Sequence, residues 1–144
     1  MNVEEFVQLN RLKPADVIIS KKIGWNLLDH TIFYLGQDRY TLEHLFSGNM
    51  TGGIRVLTES ELRELLLDYK PVRIKRFVGN GNQRKQAVKR ALSRLGENNY
   101  NLIFNNCQHY TSYSQKGKSH SPQSRNFGLG MIALGLIFLA GKND

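Results

Sequence analysis

The sequence predicts a single domain that mixes strands with helices and ends in an apolar tail. Three observations carry this. A chain of 144 residues is long enough for one hydrophobic core and short for two. Runs of strand character, such as Val17–Ile19 and His30–Leu35, share the chain with stretches whose apolar residues recur at helical spacing, such as Gln83–Leu95. Finally, Gly128 to Gly141 carries no charge at all, whereas everything before it is polar or amphipathic.

In chain order, Val3 to Leu9 predicts a short helical turn. Pro14-Ala15-Asp16 is a turn signal, and Val17-Ile18-Ile19 reads as a buried strand. His30 to Leu35 is a second strand closed by Gly36, Gln37-Asp38-Arg39 a loop, and Tyr40 to Phe46 a third strand, so these two form a hairpin. Ser47 to Gly53 has the composition of a mobile loop, and Ile54 to Leu57 is a short strand. Thr58 and Glu61 form a capping-box pattern that opens a helix running to about Asp68, with Pro71 beyond it. Val72 to Phe77 alternates apolar and basic residues, a strand with one solvated face. Gln83 to Leu95 places Ala87, Val88, Ala91, Leu92 and Leu95 on one helical face, with basic residues opposite, and Gly96 ends it. A last helix is expected to start at Asn106 or Cys107.

Lys116 to Arg125 is rich in Ser, Lys and Gly and reads as a linker. The apolar stretch that follows is roughly 20 Å long at 1.5 Å per residue, against about 30 Å for a hydrocarbon core. A full span is marginal by length; a tail anchor that thins the bilayer or lies partly within it fits better. The net charge of +8 asks for an acidic partner or surface. Much of the excess falls between Lys70 and Arg94, and near an anionic membrane each such residue contributes about 1 kcal/mol. No aromatic-interleaved basic motif supports nucleic acid as the partner. The N-terminus has acidic residues and no apolar core of a secretory signal. A single cysteine excludes an intrachain disulfide framework and fits a reducing compartment.

That cysteine, Cys107, is the chemical centre of the sequence. A hydrophobic run and two asparagines lead into it, and a helix-compatible stretch follows. At the first turn of a helix, unpaired N–H groups and the helix dipole favour a thiolate. A thiol nucleophile also needs a base, and the base an orienting partner. Four histidines are available: His30, His44, His109 and His120. A hairpin loop centred on Gln37 or on Asp38 brings His30 and His44 to one face, directly opposite or diagonal; a two-residue turn at Gln37-Asp38 puts them on opposite faces. His109 is two residues from Cys107 and points away from it on a helix. His120 lies in the linker. Two strand histidines without a third ligand beside them make a poor zinc site, and no metal or cofactor is expected.

The segment Asn106-Cys107-Gln108-His109-Tyr110 resembles the N-C-E-H-F signature of the lecithin retinol acyltransferase-like proteins, which include the small phospholipase/acyltransferases. His30-Thr31-Ile32-Phe33-Tyr34-Leu35-Gly36 is similar to their first histidine strand, Leu42-Glu43-His44 to their second, and Pro14-Ala15-Asp16-Val17-Ile18 to their early G-D-V-I turn, with Ala15 in place of glycine. Gly117-Lys118-Ser119 resembles the G-K-S stretch after their cysteine helix. The order His, His, Cys sets the chain apart from unpermuted cell-wall peptidases, in which the cysteine comes first. The chain departs from the family pattern at Leu28, Asn105, Gln108 and Tyr110, and its His30-to-His44 spacing is longer than the family norm.

The resemblance implies an α+β fold of permuted papain-like, NlpC/P60 type: an antiparallel sheet carrying the histidines, packed against the helix that carries Cys107. It implies a catalytic domain over residues 1–115, a linker over 116–126 and a hydrophobic membrane-anchor candidate over 127–144. The implied chemistry is acyl transfer from glycerophospholipid esters through a thioester on Cys107. His30 acts as the base and His44 orients it. The expected partners are a membrane phospholipid substrate and an anionic membrane surface, with the protein on the cytoplasmic face. Two other classes share these residues: a cysteine peptidase or amidase, and a catalytically silent membrane-associated protein.

Overall fold

A computed structural model describes residues 2–24, 29–50, 52–97 and 106–117. Nine elements follow in order: α1 (Val3–Leu9), β1 (Val17–Lys22), β2 (Asp29–Gln37), β3 (His44–Met50), β4 (Gly53–Leu57), α2 (Glu59–Asp68), β5 (Tyr69–Lys75), α3 (Gly81–Ser93) and α4 (Asn106–Lys116). The strands form one antiparallel sheet in the order β4-β3-β2-β1-β5. The expected α+β class, with an antiparallel sheet and helices packed against it, is what the fold has.

The helices divide between the two faces of the sheet. Val17, Ile19, Phe33 and Leu35 point to the side covered by α3 and α4, where Ala87, Val88, Ala91, Leu92 and Tyr110 complete the core. Ile18, Ile32, Tyr34 and Phe46 point the other way, onto Val3, Phe6 and Val7 of α1 and Leu62 of α2. This follows from the period of two along each strand. Central strands with both faces covered read as continuous apolar runs, as Val17–Ile19 does.

Capping fixes where the helices start. Thr58 and Glu61 form the expected capping box on α2, and Asn2 with Glu5 and Asn80 with Gln83 form two more. The turn into β1 is held by Asp16, which is buried. Its carboxylate accepts from the backbone N–H of Lys13 at 3.0 Å and of Phe77 at 2.9 Å, and from Arg76 at 3.1 Å. Ala15 sits in the left-handed region at φ 77°, the conformation that favours the glycine it replaces. Gly36, at φ 117°, lies where β2 and β3 shift register; a Cβ there would meet Pro14 Cγ at 3.2 Å.

Two expectations for the hairpin need correction. The third strand is His44–Met50, not Tyr40–Phe46, and Ser47 to Met50 is strand, not loop. Residues 38–43 form the connection instead. There the Asp38 side chain accepts from the N–H groups of Tyr40 and Thr41, and the Asp38 N–H donates to the Glu43 carbonyl. The small residues of β3 suit their place under α4 and beside Ile32: Ser47 bonds to Tyr110, and a Cβ on Gly48 would meet Ile32 Cδ1 at 3.0 Å. The linker and the apolar tail lie outside the described residues, and no described helix is long and apolar enough to cross a membrane.

Candidate functional site at the start of the cysteine helix

Cys107 is the second residue of α4 and is half-buried. The helix begins where the sequence predicted. Few of its residues are apolar, so polar contacts do much of the work of docking it. Tyr110 is fully buried, and its hydroxyl reaches Ser47 Oγ at 2.8 Å and the Ala91 carbonyl at 3.0 Å. Gln115 donates to the carbonyls of Ala15 and Lys75 at 2.9 and 3.0 Å. Arg90 of α3 donates to the carbonyls of Ser114 and Gln115, closing the C-terminal end of α4. Such bonds contribute about 1 kcal/mol each, and a lost partner in a buried setting costs more.

A further contact ties the backbone of the Cys107 turn to the sheet. Thr111 Oγ1 lies 3.1 Å from the Cys107 carbonyl oxygen and 3.0 Å from Thr31 Oγ1. A hydroxyl has one proton and two lone pairs, enough to serve both neighbours. Thr31 is the residue after His30. The start of α4 and the start of β2 therefore meet at one end of the sheet, with Gln115 anchoring the other end of α4 near the start of β1.

His30 faces the α1–α2 side. Thr31 and Phe33 point toward α4, so His30 shares its face with Ile32 and Tyr34. Its Nε2 lies 3.2 Å from Met50 Sδ, and its ring stands 5.2 Å from that of Tyr69. A thioether has no proton to give, so in this contact Nε2 carries the hydrogen and Nδ1 keeps its lone pair. Burial pushes the imidazole down from its usual value to about 4, so His30 is neutral at pH 7. Cys107 lies on the helix that covers the opposite face; what the two residues share is the end of the sheet.

The structure does not bring His44 to His30. The six-residue connection pairs His44 with Gln37, while extending the register from Phe33↔Ser47 puts Met50 opposite His30. The expected common face is correct, since His44 meets Tyr34. The expected adjacency is not: at about 3.3 Å per residue the two histidines stand roughly 20 Å apart along the hairpin. Neither loop centre considered from the sequence, Gln37 or Asp38, matches a connection that long. His44 is buried, with Tyr34 Oη 2.7 Å from Nδ1 and Glu4 Oε2 against Nε2. The same imidazole holds the Glu4 carboxyl below its usual range, and burial raises the Tyr34 phenol. In this place His44 ties α1 to the sheet and cannot orient His30.

His109 is exposed, and His120 lies outside the described residues. Among the described residues no group of three or more His, Cys, Asp or Glu side chains is placed to hold a metal ion. Sequence reasoning missed Thr111, Met50, Tyr34 and Glu4. Only Tyr34 had a usable signal, since period two puts it on the face of His30.

A family model described as Lecithin retinol acyltransferase matches residues 11–120. The chain belongs to the lecithin retinol acyltransferase family. The match spans all five strands, His30, His44 and the cysteine helix. Comparison with curated proteins and with solved structures finds no match. That family is of acyltransferase and phospholipase type, which fits a thiol at a helix start.

Proposed function

We propose that this member of the lecithin retinol acyltransferase family is a thiol acyltransferase or phospholipase A-type enzyme that takes an acyl group from a glycerophospholipid ester. The observation that supports it most directly is the Thr111 contact, which draws the Cys107 turn and the first residues of β2 to one end of the sheet. In the proposed reaction the Cys107 proton passes to Nδ1 of His30. The thiolate forms a bond to the ester carbonyl carbon, and the ester C–O bond breaks. The departing lysolipid alkoxide takes the proton back from the imidazolium, leaving a thioester on Cys107. Water, an amine or an alcohol then attacks the thioester and releases the thiol. N–H groups of the first α4 turn are the available donors to the tetrahedral oxyanion. The step requires the His30 ring to leave Met50 and reach the thiol around the end of the sheet.

We assign the catalytic role to residues 1–115, with 116–126 as linker and 127–144 as membrane anchor, and we expect work at an anionic cytoplasmic surface. One observation favours a second reading, a catalytically silent lipid-binding protein: His30 has a thioether partner where a carboxylate or imidazole would strengthen it as a base. One experiment separates the two. Incubation with phospholipid is expected to leave a hydroxylamine-sensitive acyl adduct on Cys107 that Cys107→Ala abolishes. Full lipid turnover by Cys107→Ala sinks the mechanism, and the absence of any adduct on wild type selects the silent reading.

A further inference from the structure

The basic residues between Tyr69 and Gly96 are not one solvated face. The segment holds no acidic residue, yet four of its cations are used internally. Arg76 and Arg84 flank the buried Asp16 carboxylate at 3.1 and 3.5 Å. Arg90 closes the end of α4 through two carbonyls, and Arg94 pairs with Glu97. What remains includes Arg73 and Lys75, and these two have a definite place. They stand opposite Ile19 and Val17 in the β1–β5 register, so they point to the α3–α4 side of the sheet. Strand β5 is the sheet's edge. Gln115 binds the Lys75 carbonyl, which sets the next residue, Lys116, beside the same edge.

Arg73, Lys75 and Lys116 therefore gather at one corner, and no ion pair joins any of them to a carboxylate among the described residues. Partial burial and the charges of Lys116 and Arg73 hold the Lys75 ammonium below its usual value. Attraction to the C-terminal dipole of α4 does not account for the cluster, because Arg90 already binds the terminal carbonyls and Arg73 and Lys75 come from the strand. Like charges held together without a counter-charge favour an anion between them.

We propose that Arg73, Lys75 and Lys116 form a binding site for the phosphate-bearing headgroup of an anionic membrane lipid. The occupant is argued from the chain itself. Lys116 closes α4, and the sequence runs from there through the linker into the uncharged stretch 128–141. Eleven residues reach at most about 40 Å, so a surface that receives that stretch is within reach of this corner. Cys107 stands roughly 14 Å away along α4 at 1.5 Å per residue, so the site and the thiol share one helix. The inference rests on the membrane reading of the proposed function, but not on catalysis at Cys107.

The test uses the full chain and co-sedimentation with vesicles of phosphatidylcholine alone or with one third phosphatidylserine. Each basic residue near an anionic surface is worth about a fivefold factor in partitioning, so Arg73→Gln, Lys75→Gln and Lys116→Gln together should weaken binding to the anionic vesicles about 100-fold. Binding to neutral vesicles should not change, because the apolar stretch is intact. The control removes charge at the opposite end of β1, with Lys21→Gln and Lys22→Gln. Equal losses per charge removed from both sets overturn the site in favour of net charge, and no loss from the triple variant overturns it outright. A triple variant that loses neutral vesicles equally also overturns it. A normal Cys107 adduct alongside unchanged vesicle binding would sink this proposal alone; a lost adduct alongside charge-dependent binding would sink only the catalytic one.

Discussion

The two ends of the β2–β3 hairpin carry the same side chain on the same face and use it in opposite ways. At one end His44 is enclosed by strong partners, a phenol on Nδ1 and a carboxylate on Nε2, and it ties α1 to the sheet. At the other end His30 touches a thioether, which accepts weakly, and burial holds it neutral. The difference teaches that residue type and face do not define a catalytic dyad. Loop length does: six connecting residues slide His44 to the far end of β2 from His30. What this end offers in exchange is an imidazole held by a weak partner at the same end of the sheet as the turn that carries the only thiol.

The largest expected effect is on turnover. His30→Gln should lower the rate of acyl-adduct formation on Cys107 by about 10²- to 10⁴-fold, the usual contribution of a positioned base. His44→Gln should leave the rate per folded molecule unchanged. Single-turnover labelling of both variants checks this. Equal rate losses would mean that the two histidines act together after all, which the register of the hairpin argues against.

Acid stability should separate the two ends next. In the unfolded chain His30 takes up a proton near pH 6.5, whereas in the folded protein it does so only near 4. The unfolded state thus binds more protons between these values, so stability is fully present above about pH 6.5 and falls as pH drops toward 4. The size is on the order of 3 kcal/mol. Urea midpoints followed from pH 7 to 4 should lose much of this slope in His30→Gln. An undiminished slope would mean that other groups set the acid limb.

How much of this was legible in the sequence varies by element. The thiol at a helix start, the Thr58–Glu61 capping box and the apolar stripe of Gln83–Leu95 are local patterns, and these three were read correctly. The third strand was misplaced because Ser47, Gly48 and Asn49 have loop composition. They form a strand because they pair with β4 and, at Ser47, with β2, a tertiary effect that outweighs propensity. The His30–His44 register was misjudged for a related reason. Asp38 accepts bonds from two following N–H groups and Leu42 adopts φ 61°, and together they extend the expected loop through residues 40–43, where strand was expected. Thr111 and Gln115 were invisible as positioning residues, since a threonine or glutamine on a polar helix carries no sign of which backbone it will meet.

A smaller effect belongs to the enclosed end. His44→Ala leaves the Tyr34 hydroxyl buried without its acceptor and should cost about 1–3 kcal/mol of folding stability. Glu4→Gln should cost less, because the Glu4 side chain is half-exposed and its contact with His44 is shared with solvent. Denaturant midpoints order the two. A larger loss from Glu4→Gln would show that the carboxylate, and not the phenol, is what fixes His44.

The smallest effect tests what the thioether does at the open end. Met50→Leu keeps the volume but removes the sulfur that faces Nε2, and the change should cost no more than about 1 kcal/mol of stability. Burial is what lowers the His30 titration. Its midpoint, read from the ring proton shifts, should therefore stay near 4 in this variant. Met50→Glu changes the physics: a carboxylate 3 to 4 Å from the ring favours the imidazolium and should raise the midpoint by one unit or more, by about the shift that a nearby opposite charge produces. If Met50→Leu alone moves the midpoint by that much, sulfur is the group that sets the base strength of His30, and the weak partner at this end is as deliberate as the strong ones at the other.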